Sequence, residues 1–203
     1  MLVLLVSAAL AMAGGIWTAQ QLLQRSGKED ALASTRFPEP REIGAFELLD
    51  HNTAAFNNAS LRDHWSFLFF GYTHCPDVCP TTLSVLNSVA QRLGDREPPV
   101  RFVFVTVDPQ RDTPEQLARY VTYFNGDFIG VTGTQDAIEQ LTRQLGIMSL
   151  RVENEASPEN YLVDHTAGVF LFDPDGHYHA VFTPPLSAED MANAFSIMEQ
   201  DFQ

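Results

Sequence analysis

The sequence predicts an α/β fold, a central mixed sheet covered by helices on both sides, preceded by an N-terminal membrane segment. Two continuous apolar runs, Ser66 to Gly71 (SFLFFG) and Val100 to Val107 (VRFVFVTV), suit strands buried on both faces. Helical spacing follows each of them. The turn Asp173-Pro174-Asp175-Gly176 then closes a hairpin ahead of a last helix.

The first nineteen residues, MLVLLVSAALAMAGGIWTA, carry no charge. They read as an anchor or signal segment over residues 1–20, at about the 20 residues that span a hydrocarbon core. Ala11-Met12-Ala13 also fits a cleavage site. The first basic residues, Arg25 and Lys28, follow the run, so charge leaves its orientation open. Residues 21–41 are mixed and polar, with Pro38 and Pro40 near their end, and read as a tether; residues 42–203 form the folded domain.

Within that domain Gly44 to Asp50 and Trp65 to Gly71 read as strands. Leu83, Leu86, Val89, Ala90 and Leu93, stopped by Gly94, mark a helix. After the strand Val100 to Val107, Thr113-Pro114-Glu115-Gln116 opens another helix, with Thr113 as cap and Gln116 placed to complete a capping box. Phe128 to Thr132 is a strand, and Thr134 to Leu145 a helix ending at Gly146. Tyr161 to Val163, Gly168 to Phe172 and His179 to Phe182 are strands, and Ser187 begins the last helix.

The formal charge of −14, from 26 acidic and 12 basic residues with no basic run, excludes nucleic acid as an expected partner. Basic partner surfaces fit it better.

The only two cysteines, Cys75 and Cys79, lie in GYTHCPDVCP after the first apolar run. A disulfide between them would close a loop of about five residues and contribute only about 2 kcal/mol, a poor staple. Burial as two small hydrophobes conflicts with His74, Pro76, Asp77 and Pro80 around them. Cys79, before Pro80, reads as the cap of the following helix, where the positive dipole end favours a thiolate for metal binding or disulfide exchange.

Two thiolates seldom complete a metal site, so a third ligand is sought among six histidines. His51 and His64 lie in or beside polar loops, His177 and His179 flank a hairpin turn where solvated surface is the commoner role, and His74 could tune Cys75. His165, between two apolar strands, is either a satisfied hairpin histidine or a ligand presented at the sheet edge. Two sulfurs and an imidazole suit copper, above all Cu(I), while a structural zinc site would want four ligands. Asp77 reads as a turn cap or an adjuster of the thiolates. Asp164 reads as a support for His165, and Asp108 as a strand-end functional group or a turn former before Pro109.

GYTHCPDVCPTTL, VTVDPQRDTPEQL and YLVDHTAGVFLFDPDG, in that order behind an apolar N-terminal segment, resemble the Sco/SenC family over roughly residues 43 to 200. The resemblance implies a thioredoxin-like fold and copper bound by Cys75, Cys79 and His165. It also implies a role in delivering copper to the binuclear copper centre of cytochrome c oxidase subunit II or a similar acceptor, or in reducing that centre's cysteine ligands through Cys75 and Cys79. With the membrane segment, it places the chain at the inner membrane, the soluble domain facing the periplasm.

The main rival is a metal-free thiol-disulfide oxidoreductase, although thioredoxins carry C-x-x-C and a cis-proline opposite it. A peroxidase is weaker, because Pro-x-x-x-Thr-x-x-Cys is missing. A plain scaffold leaves the thiols without work.

Overall fold

The computed structural model describes residues 14–20, 36–153 and 161–202. The chain divides into two compact units, residues 1–37 and 38–203. In the first, residues 14–20 are helical (α1) and exposed. Among the described residues no helix is long and apolar enough to cross a membrane. Residues 1–13 of the segment expected over 1–20, and residues 21–35 of the tether, fall outside the described residues.

The second unit is built on an eight-stranded sheet in the order β1-β10-β9-β4-β5-β6-β2-β3. Its strands are β1 (Arg36–Arg41), β2 (Glu47–Asp50), β3 (Ala55–Asn57), β4 (Trp65–Gly71), β5 (Val100–Thr106), β6 (Ile129–Thr132), β9 (Val169–Phe172) and β10 (Tyr178–Phe182). β4, β5 and β6 run parallel, and β9 and β2 flank them antiparallel. The sheet is therefore mixed, as expected.

Every residue of β4 is buried, and successive side chains point to opposite faces, so both faces of the sheet centre are covered. On one face Phe67 stacks on Phe102 at 5.1 Å and meets Phe195 at 5.5 Å. On the other Phe70 meets Phe170 edge-on at 5.6 Å. Arg36–Arg41, the end of the expected tether, is instead an edge strand, a place where Pro38 and Pro40 interrupt no ladder on their free side.

The helices are α2 (Val78–Leu93), α3 (Pro114–Phe124), α4 (Gln135–Leu145) and α5 (Ala188–Phe202). α5 packs against α2, and α3 against β6. Thr113 and Thr134 cap α3 and α4, their hydroxyls accepting from the N–H groups of Gln116 and Ala137. The expected capping box at Gln116 is only half made, because its side-chain oxygen accepts from Arg119 at 3.0 Å instead. Gly146 ends α4 with φ +70°, a left-handed conformation that glycine adopts without strain.

A separate two-stranded sheet pairs β7 (Ser149–Val152), which the sequence did not reveal, with β8 (Leu162–His165), expected as Tyr161 to Val163. Its exposed residues Leu150, Val152 and Leu162 break the usual apolar-in pattern. His64 and His179, read as loop or surface residues, are both buried. His179 sets Nδ1 3.3 Å from Asp173 Oδ2, which accounts for an imidazole in the core.

Candidate metal centre

β4 and β5 end side by side, and their C-terminal ends carry the chemistry, as in other open parallel sheets. After Gly71 the chain turns, Cys75 N–H donating to the Tyr72 carbonyl at 3.2 Å, and enters α2 at Val78. Asp77, not Cys79, holds the cap position, and it does so without a side-chain bond to the helix N–H groups. Cys79 is the second helical residue. Both thiols are free, Cys75 half-buried and Cys79 buried.

The expected easy thiolate at Cys79 is not what the environment favours. Burial pushes the Cys79 thiol well above its ordinary range; a hydrogen bond with the Tyr72 backbone opposes this, and the charge of Cys75 adds to the rise. Desolvation outweighs the helix N-terminus here. A bound cation would supply the charge that the site lacks.

His165 is the last residue of β8 rather than part of a turn between strands. Its Nε2 lies 3.6 Å from Cys79 Sγ, though 86 positions separate them in the chain. Donors of Cys75, Cys79 and His165 all lie within 4.8 Å of one another. Bonds of about 2.0 to 2.3 Å at tetrahedral to trigonal angles put two ligand atoms about 3.6 to 3.8 Å apart. The Cys79–His165 separation already fits that geometry.

The imidazole is oriented from behind. Nδ1 sits 3.3 Å from the Thr166 carbonyl, which can only accept; this selects the tautomer protonated at Nδ1 and leaves the Nε2 lone pair toward the sulfurs. Asp164, expected in this role, is exposed and the carbonyl takes its place. Phe69 and Tyr72 meet the ring edge-on at 6.2 and 6.1 Å. Burial holds the His165 pKa below its ordinary value, so it is neutral, the form that ligates.

Sequence reasoning missed Asp112. Fully buried, it accepts from Thr73 Oγ1 at 2.6 Å, Thr73 N–H at 3.0 Å and Thr106 Oγ1 at 2.6 Å. It thereby fixes the loop two residues before Cys75. Burial raises its carboxyl pKa, and the threonine hydrogen bonds oppose that. His74 faces this carboxylate, Nδ1 to Oδ1 at 3.8 Å.

Asp108, read as either functional or a turn former, is buried and paired with Arg111. It also accepts from Tyr161 Oη at 2.7 Å. Tyr161 was read only as the start of a strand. The Cζ atoms of Arg111 and Arg151 each lie 3.6 Å from the Tyr161 ring centroid, so the ring is held between two guanidinium groups. A signal for these residues existed in the acidic pair spaced by four in VDPQRD, but nothing local says what it touches.

The sequence profile of the SCO1/SenC family matches residues 35–198. The chain belongs to the SCO1/SenC family. A SCO2-like protein of Rickettsia prowazekii is 38% identical over 152 residues, 75% of this chain and 74% of that protein. The Bradyrhizobium japonicum ScoI structure with copper bound is 33% identical, with a TM-score of 0.69 over 75% of this chain and 96% of that one. Arabidopsis thaliana ScoI with copper bound gives 30% identity and a TM-score of 0.70, covering 77% and 98%. Family membership thus agrees with the resemblance read from three motifs, and the thioredoxin-like arrangement of mixed sheet and helices agrees with these structures.

Proposed function

We propose that this protein binds copper through Cys75, Cys79 and His165 and carries it to the binuclear copper centre of cytochrome c oxidase subunit II or a similar acceptor. The observation that carries the reading is the convergence of two free thiols and a neutral imidazole within 4.8 Å. Soft sulfur and imidazole donors suit copper over hard cations. In this reading the chain is held at the inner membrane by its N-terminal segment, its folded domain facing the periplasm.

The residues divide the work by exposure. Loading displaces the thiol protons, which is where the cost of burying a Cys79 anion is offset by the cation. Cys79 and His165 form the inner side of the site. Cys75, half-exposed, is the ligand an acceptor thiolate reaches first, so transfer begins by exchange at Cys75.

A second reading uses the same sulfurs for reduction, favoured by their being free and adjacent. The Cys75 thiolate attacks an acceptor disulfide, forming one S–S bond and releasing one acceptor thiolate. Cys79, losing its proton, then attacks the mixed disulfide, releasing the second and leaving a Cys75–Cys79 disulfide. Two electrons pass to the acceptor, and an external dithiol must restore the pair.

The full chain, reduced and titrated with copper, tests this. Sulfur-to-Cu(II) charge-transfer bands abolished or shifted in Cys75→Ser, Cys79→Ser and His165→Ala are expected; bands unchanged in all three sink the ligand assignment. Disulfide reductase activity that survives His165→Ala, in a protein that holds no copper, favours the second reading.

A further inference from the structure

Both limbs of the metal centre are fastened to one short turn. Residues 108–112 leave β5 and close on themselves, the N–H groups of Arg111 and Asp112 donating to the Asp108 carbonyl at 3.2 and 3.0 Å. Asp108 N–H donates to Thr106 Oγ1 at 2.9 Å, and Val107 N–H to the Gly71 carbonyl at 2.8 Å. The turn is thus tied to the ends of β4 and β5, the most buried part of the sheet.

From this base two carboxylates reach in different directions. Asp112 holds Thr73, two residues before Cys75, by its hydroxyl and its N–H. Asp108 holds the hydroxyl of Tyr161, four residues before His165. Tyr161, Val163 and His165 share one face of their strand, because side chains alternate, so a pull on Tyr161 acts along the edge that carries the imidazole. Arg111 adds a hydrogen bond to the Tyr161 carbonyl at 3.1 Å. Across the ladder Arg151 pairs with Val163 and closes over the Tyr161 ring from β7.

β8 is also tied by a hydrogen bond between the Tyr72 side chain and the Val163 backbone. Leu162 and Asp164 point outward and are exposed, and the His165 ring meets Thr166 behind it, Phe69 and Tyr72 at its edge and Cys79 in front. The turn is the element that bonds to both limbs, through Asp112 to Thr73 and through Asp108 to Tyr161.

We propose that the Asp108–Asp112 turn is a bracket that sets the spacing between the sulfur pair and the His165 imidazole, with Tyr161 Oη the positioning contact on the histidine side. The inference rests on Cys75, Cys79 and His165 being the ligands. Without the Tyr161 hydroxyl the β8 limb drifts while the sulfur limb, held by Asp112, stays in place. The site then keeps its two sulfurs and loses the preorganised third donor.

The test compares the full chain with Tyr161→Phe, His165→Ala and the double variant, each loaded with Cu(II). Charge-transfer absorption and the rate of release to a chelator are measured. Tyr161→Phe is expected to move the bands toward those of His165→Ala and to speed release about tenfold, about 1.4 kcal/mol in barrier. The double variant should release no faster than His165→Ala alone, since the two changes act through one ligand. In the metal-free chain, ring 15N signals of His165 should change from one tautomer toward a mixture in Tyr161→Phe.

A Tyr161→Phe protein with parental bands, parental release and an unchanged His165 tautomer, whatever its melting temperature, overturns the bracket. So does a double variant showing both losses in full. If His165→Ala leaves bands and release unchanged, the ligand assignment has failed and the bracket falls with it, by a result distinct from the first two.

Discussion

Replacing Gly71 by alanine should damage fold and metal centre together. Gly71 ends β4, and a Cβ built on it would lie 2.7 Å from Cys79 Sγ and 2.8 Å from Phe104 Cε2. Ordinary contact begins near 3.4 Å, so sulfur and ring must each withdraw by about 0.6 to 0.7 Å. Cys79 and Phe104 are both buried among close-packed side chains, which makes that movement a case of overpacking at about 1 to 3 kcal/mol. For a domain of this size each kcal/mol lowers the melting temperature by about 2 to 4 °C, so a fall of about 2 to 12 °C is expected.

The same movement exceeds the roughly 0.2 Å tolerance of metal–ligand distances, and should weaken copper binding by tenfold or more. Denaturant unfolding of the reduced, metal-free chain reads the first effect. Competition for Cu(I) with a chelator reads the second. An alanine variant as stable as the parent, with parental copper affinity, would refute the packing argument and the placement of Cys79 against Gly71.

Three further outcomes are expected. Phe67→Ala, which removes a ring packed between Phe102, Phe182 and Phe195, should cost about 3 to 5 kcal/mol in denaturant unfolding. Arg96→Ala should cost about 2 kcal/mol, because it leaves the mostly buried Glu199 carboxylate without its ion-pair partner; Arg96→Ala with Glu199→Gln should recover part of that loss in a double-mutant cycle. Burial, and then the charge of Arg101, hold the His64 pKa below 6.5, so the unfolded chain binds more protons between the lowered value and pH 6.5. Stability should therefore fall as pH drops through that window, and unfolding curves for His64→Leu should show a shallower decline there.

Much of the scaffold could be read locally. β4 matches Trp65 to Gly71 residue for residue because a strand buried on both faces announces itself as an unbroken apolar run. α3 and α4 begin where Thr113 and Thr134 offer a hydroxyl to an open N–H. β8 was read only as Tyr161 to Val163 and β7 not at all, because Leu150, Val152 and Leu162 turn apolar side chains outward and β7 has no buried residue to mark an alternation. His179 was misplaced for a related reason: its partner, Asp173, sits across a hairpin turn, and a buried polar pair leaves no periodic trace.

By itself the amino-acid order determined the α/β class, the helix starts, the paired thiols and, through three ordered motifs, the family. Those are properties of spacing, composition and motif order along the chain. Only folding decided that an imidazole 86 residues away faces Cys79, that Asp108 and Asp112 grip the two limbs, and that the Cys79 thiol keeps its proton instead of losing it. Proximity across the chain and removal from water arise when strands pack side by side, and no local pattern records either.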